Sequence, residues 1–182
     1  MTLKKRGPWT VEGSVQRYKS PWVEVREDQV IRPDGSAGRF ATVEVRPGVS
    51  VLALDGEGFV YLTSEFRYAV GRESIEVVSG GLDGDETPLA AARRELREEL
   101  GIEADLWTDL GTVDPFTSVV RSPAGLFLAR GLTFAEPERE GTELIRAVKV
   151  ELGEAVRMVM QSEITHGPSC VLILKAHLFL SS

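Results

Sequence analysis

Within GGLDGDETPLAAARRELREELGI, residues 80–102, three carboxylates fall where a helix would gather them. Glu95 and Glu99 are four residues apart and project from one helical face, and Glu98 is three beyond Glu95. Like charges at that spacing repel, and two arrangements relieve them. The face can be solvated and partly balanced by Arg93, Arg94 and Arg97, with Arg94 and Glu98 at i,i+4. Alternatively, a divalent cation supplies the missing countercharge, since Mg²⁺ and Mn²⁺ prefer carboxylate and carbonyl oxygens.

The elements that would position these groups can be read on either side. Thr87 suits a helix cap and Pro88 the first helical position, where a missing N–H costs nothing. Leu89, Ala92, Leu96 and Leu100 make an apolar stripe, and Gly101 is a stop, so a helix is expected over 88–100. Upstream, SIEVVS (74–79) reads as one strand ending in Gly80-Gly81. The run 41–66 holds two alternating strands with a hairpin turn at Asp55-Gly56, and the first third reads as short strands, with an acidic turn at Glu27-Asp28. Downstream, 106–113 and 124–134 are expected strands joined by the loop 114–123, and 143–150 is a strand before a helix near 152–162. The continuous apolar run 169–180 is ambiguous by period, and its length favours a buried helix.

The 182 residues suit one domain, or one with a small appendage, and 42% hydrophobic content suffices for a core without staples. A single cysteine, Cys170, excludes an internal disulfide framework. Twenty-eight acidic residues against 21 basic give a net charge of -7, which disfavours duplex nucleic acid as a partner. A small anion can still be held through bound cations. Residues 1–20 are locally basic, but Pro8, Glu12 and Gln16 interrupt any apolar signal core, and no apolar run reaches membrane-spanning length. The expectation is a cytoplasmic protein with no membrane partner.

The stretch 80–102 matches the signature G-x5-E-x7-R-E-U-x-E-E-x-G-U, with U aliphatic, at Gly80, Glu86, Arg94, Glu95, Leu96, Glu98, Glu99, Gly101 and Ile102. On these residues the chain resembles the Nudix hydrolase family. The resemblance implies an α/β fold, a mixed sheet sandwiched between helices, here with an N-terminal strand extension (1–40) before a domain over 41–182. It implies Mg²⁺- or Mn²⁺-dependent cleavage of a nucleoside diphosphate linked to another moiety. Glu95 and Glu99 would be the main metal carboxylates, Glu98 a further ligand or in-box base, and the Ser79 carbonyl a backbone ligand. Glu86 and Arg94 would pair to hold the loop against the helix, with Gly80 and Gly101 permitting close turns.

Flanking features resemble the ADP-ribose pyrophosphatase and nucleoside-diphosphate-sugar branch. SEFRYAV (64–70) leading to IEVVSGG (75–81) is similar to its arginine-bearing strand end and E-x-P-A-G, although Val78 replaces the proline and Ser79 the alanine. By that likeness Arg67 and Glu76 are substrate-binding candidates, as are Phe116 in the loop after the box and Arg39 and Arg46, where a partner subunit's arginines can reach substrate. The water-activating base of the branch lies on a loop after the box, which here offers Glu143 first and Glu140 next. Trp9, Tyr18 and Trp22 in the extension can serve dimer packing or base contact, and a homodimer is implied. ADP-ribose is the leading substrate, giving AMP and ribose 5-phosphate. GDP-mannose or another nucleotide sugar is the alternative, followed by a non-catalytic nucleotide-binding domain. His166 and His177 form no zinc pattern.

Overall fold

The computed structural model describes residues 4–137 and 144–182. They fall into two compact units. The first takes in the chain up to Arg46 together with Phe116–Ser122; the second takes in Pro47–Pro115 and Pro123–Ser182.

The first unit is one sheet of β1 (Lys4–Arg6), β2 (Trp9–Lys19), β3 (Val23–Ile31), β4 (Ala37–Val45) and β10 (Val120–Arg121), in that order. Its strands pair antiparallel except for β10, which runs parallel to β4. Glu27 and Asp28, read above as a turn, lie inside β3. Pairing with β2 and β4 continues through both, and cross-strand cations neutralise them, Arg17 at 2.7 Å from Glu27 and Arg6 at 3.8 Å from Asp28. The loop 114–123 likewise carries a short strand, β10, because Val120 and Arg121 find a free edge on β4.

The second unit is a mixed sheet between helices. Its path is β12 (Arg146–Glu151), β6 (Phe59–Arg67), β5 (Gly48–Leu54), β11 (Ala124–Phe134) and β9 (Ile102–Val113), with β7 (Arg72–Glu76) on β6 and β8 (Val78–Gly81) on β5. Only the β5–β11 pairing is parallel. Alternation along the strands divides the core in two. Val49, Val51, Ala53, Phe127 and Ala129 pack with Ala91, Ala92, Leu96 and Leu100 of α1 (Pro88–Leu100). Leu52, Leu54, Leu126 and Leu128 pack with Ala155 and Met158 of α2 (Leu152–Met160) and Leu172, Ile173 and Ala176 of α3 (Gly167–Leu180).

SIEVVS is therefore two strands. β7 follows β6 and β8 follows β5, and the chain changes partner at the fully buried Val77. β12 begins at Arg146, β9 begins four residues earlier than expected at Ile102, and α2 ends at Met160. The hairpin turn at Asp55 is closed by its own carboxylate, which accepts the backbone N–H of Glu57 at 3.0 Å and of Phe59 at 2.9 Å. No helix among the described residues is long and apolar enough to cross a membrane.

Candidate active site

Helix α1 starts where Thr87 Oγ1 accepts the N–H of Ala90. It ends on Gly101, whose φ of 65° is the left-handed turn that glycine accommodates. A Cβ on Gly101 would also lie 2.2 Å from the carbonyl oxygen of Ala135, so this end of the helix is closed against backbone. Gly80 is needed for a different reason. A Cβ there would fall 1.9 Å from both Cδ and Oε1 of Glu95, so the bare glycine is the seat of that carboxylate.

Arg94 commits all five of its N–H groups. Nε and Nη2 grip Glu86 at 3.2 and 3.0 Å, and Nη2 also donates to the Gly81 carbonyl at 3.0 Å. Nη1 donates to Glu95 at 2.8 Å and to Glu98 at 3.0 Å. Glu86 is further braced by the Asp83 N–H at 3.2 Å. The loop 81–86 is thus tied to the middle of α1 through one guanidinium fork. Arg94 holds the Glu86 carboxyl below its usual range, and Glu86, followed by Glu95 and Glu98, raises the Arg94 pKa. Arg93 turns elsewhere, 5.7 Å over the Trp107 ring, and lines with Arg97 a cleft of about 390 Å³ between α1 and β9.

Glu99 is buried at 8% exposure, and its charge acts on Arg67 at the end of β6. Arg67 donates through Nε and Nη2 to Glu76 at 3.3 and 2.8 Å, and its Nη1 lies 2.7 Å from Glu65. Burial opposes the Arg67 charge, but Glu76, Glu65 and Glu99 outweigh it and raise its pKa. Burial likewise works to protonate Glu76. Arg67 and the Ser74 side chain oppose it, as does His166 when its ring is protonated, and the net effect lowers the Glu76 pKa.

Across this site the NUDIX domain family matches residues 44–163, and the nucleoside diphosphate sugar hydrolase N-terminal domain matches residues 9–43. The chain belongs to the Nudix hydrolase family. It is an enzyme related to the ADP-ribose pyrophosphatase and nucleoside-diphosphate-sugar hydrolase branch. It is 31% identical to the ADP-ribose pyrophosphatase of Mycobacterium tuberculosis over 84% of this chain and 75% of that protein. It is 28% identical to the ADP-ribose pyrophosphatase of Bacillus subtilis over 82% of each. The crystal structure of an ADP compounds hydrolase shares the fold, with a TM-score of 0.83 at 18% identity, covering 98% of this chain and 97% of that one.

Nudix hydrolases generally depend on metal, and the donors here fit a hard divalent cation. Three carboxylates of α1 and the backbone of β8 offer oxygen only, and Gly80 leaves the space that the Glu95 carboxylate occupies. Among the described residues no three His, Cys, Asp or Glu side chains are gathered as a metal cluster; Glu95 and Glu98 share the Arg94 Nη1 instead.

The second unit holds Arg67, Glu76, Ser79, Gly80, Glu86, Arg94, Glu95, Glu98, Glu99 and Gly101. Arg39, Arg46 and Phe116 belong to the first unit: Arg39 lies 3.5 Å from Glu27, Arg46 donates to the Pro21 carbonyl at 3.2 Å, and the Phe116 ring is exposed. Glu140 and Glu143 lie outside the described residues. Two residues around Glu76 escaped the sequence reading. His166 Nδ1 is 3.4 Å from Glu76 and 2.8 Å from Ser169 Oγ. They sit some 90 positions from Glu76, and no spacing rule connects them.

Proposed function

We propose that this Nudix hydrolase is a Mg²⁺- or Mn²⁺-dependent pyrophosphatase whose preferred substrate is ADP-ribose, cleaved by water to AMP and ribose 5-phosphate. The similarity to two ADP-ribose pyrophosphatases, which runs over more than four-fifths of the chain and includes an unbroken Nudix box, carries this reading. Glu95 and Glu99 would hold the metal, with Glu98 and the Ser79 carbonyl as further ligands. When bound, divalent metal polarises the diphosphate and activates water. Arg94 would keep the glutamate-bearing face of α1 docked to the 81–86 loop through Glu86, with Gly80 leaving room for Glu95. Arg67, held by Glu76, would contact a phosphate or the sugar. Glu143 is the proposed base that takes the proton from water, ahead of Glu140 and Glu98. Phe116 is also proposed as a substrate contact, as are Arg39 and Arg46 in the role of a partner subunit's arginines.

The first unit would serve as the dimerisation element of a cytoplasmic homodimer. Tyr18 and Trp22 are 57% and 66% exposed on it, large aromatic side chains that a second copy would cover. GDP-mannose or another nucleotide sugar is the alternative substrate, because Val78 and Ser79 depart from the branch's E-x-P-A-G and weaken its assignment to a single substrate.

The test is a panel of ADP-ribose, GDP-mannose and other nucleotide sugars with Mg²⁺ and with Mn²⁺, analysed by product mass. AMP and ribose 5-phosphate as the fastest products support the reading. Faster release of GMP and mannose 1-phosphate moves the enzyme to the nucleotide-sugar alternative.

A further inference from the structure

Glu76 ends β7 with 5% exposure, and its carboxylate is contacted from two sides. Arg67 approaches with Nε and Nη2, while His166 Nδ1 stands 3.4 Å from Oε2 on the other hand. His166 is the residue before helix α3, and Ser169, in its first turn, is fully buried. Ser169 Oγ accepts the backbone N–H of Val77 at 3.0 Å and has a second lone pair for an N–H at the His166 Nδ1, 2.8 Å away. In the neutral ring, the form that burial favours, a hydrogen on Nδ1 faces both Ser169 Oγ and the Glu76 carboxylate, the tautomer that suits two oxygens. A continuous chain of contacts therefore runs from the Val77 backbone through Ser169 and His166 to Glu76 and Arg67.

The far end of that chain is not saturated. A guanidinium has five N–H groups. Three are engaged, two by Glu76 and one by Glu65, so one remains on each of Nη1 and Nη2 among the described contacts, with the side chain 37% exposed. Two neighbouring N–H groups on a fixed plane suit a phosphate or a pair of sugar hydroxyls. They do so only if the plane cannot rotate, and the plane is set by the Glu76 carboxylate that it grips.

We propose that His166 and Ser169 are positioning residues for substrate binding: from α3 they fix the Glu76 carboxylate, and thereby hold the Arg67 guanidinium in the one orientation that meets the substrate. This inference rests on the reading of Arg67 as a substrate contact. A purely structural latch between α3 and the β7–β8 junction would use the same Ser169–Val77 bond, so stability alone does not distinguish the two.

The experiment compares wild type, His166→Ala, His166→Asn, Arg67→Ala and the Arg67→Ala/His166→Ala pair. The readouts are kcat and KM for whichever panel compound wild type hydrolyses fastest, Kd for that compound without metal, and the thermal midpoint. His166→Ala should raise KM and Kd about tenfold, the scale of losing one charge-assisted hydrogen bond, with kcat little changed. Adding it to Arg67→Ala should raise them no further. His166→Asn, whose amide N–H can replace the Nδ1–H as donor to Ser169 and Glu76, should restore wild-type binding. Unchanged KM and Kd in a folded His166→Ala protein, or full additivity with Arg67→Ala, overturns the proposal. An Arg67→Ala protein with wild-type KM and Kd overturns it too, at the premise. A wild type that hydrolyses no panel compound is instead a failure of the function reading, and unaltered metal-free binding of ADP-ribose by His166→Ala then decides against the positioning role.

Discussion

Replacing Gly80 by alanine separates the site from the fold. The added Cβ would lie 1.9 Å from Cδ and Oε1 of Glu95 and 2.4 Å from Oε2. Restoring an ordinary contact of about 3.5 Å drives the carboxylate back by roughly 1.5 Å. Gly80 lies outside the left-handed backbone region, so alanine brings no backbone strain there, and the displaced group is the end of a flexible side chain. The cost to stability should stay within about 1 kcal/mol, a midpoint shift of roughly 2–4 °C for a chain of this size. Metal–ligand distances tolerate only about 0.2 Å, so the same movement removes Glu95 from any metal it holds. The expected result is a kcat/KM loss of about 10²-fold or more with a weakened Mn²⁺ isotherm. Steady-state hydrolysis, Mn²⁺ titration and thermal melting of Gly80→Ala read the three quantities. Wild-type kcat/KM and Mn²⁺ affinity in the folded variant would show that Glu95 is not a ligand placed by this glycine.

Gly101→Ala should do the reverse. A positive φ and a clash with the Ala135 carbonyl lower stability by about 1–3 kcal/mol, visible in the urea midpoint, whereas an unchanged midpoint would remove the steric argument. Arg94→Lys cannot span Glu86, Gly81, Glu95 and Glu98 at once. It should lose about 1–3 kcal/mol and at least about tenfold in kcat/KM, and a neutral result in both would deny the guanidinium its organising role. Asp55 supplies a pH test. Burial pushes its carboxyl up, but Lys149, the Phe59 and Glu57 N–H groups and the Tyr61 hydroxyl hold it down, to about 2 from an ordinary 3.8. Its stabilisation is then complete above about pH 4 and fades as pH falls toward 2. The gap in urea midpoint between wild type and Asp55→Asn should therefore close over that interval, and a gap independent of pH would contradict it.

Local signals made the centre of the site readable. Thr87, Pro88, the stripe Leu89–Ala92–Leu96–Leu100 and Gly101 define α1 without help from the rest of the chain, and the helix spans Pro88–Leu100. The strand alternation that separates Val51 and Ala53 from Leu52 and Leu54 also survives, because each face of the sheet meets a different helix layer. Where sequence reading failed, a distant partner decided the outcome. Glu27 and Asp28 look like a turn until Arg17 and Arg6 arrive from neighbouring strands. Nothing within SIEVVS announces that its halves pair with β6 and β5. The run 169–180, ambiguous by period because apolar residues cover it all round, including Leu178 and Phe179 on its exposed end, is a helix as its length implied. The Glu76–His166–Ser169 contacts join segments that only the folded sheet brings together.

Anomalous diffraction from crystals grown with Mn²⁺ and a non-hydrolysable ADP-ribose analogue tests the central claim most directly. Mn²⁺ density is expected against the Glu95 and Glu99 carboxylates with the diphosphate on its other side. Manganese located elsewhere, with Glu95 and Glu98 still closed on Arg94 and the diphosphate away from α1, would contradict it.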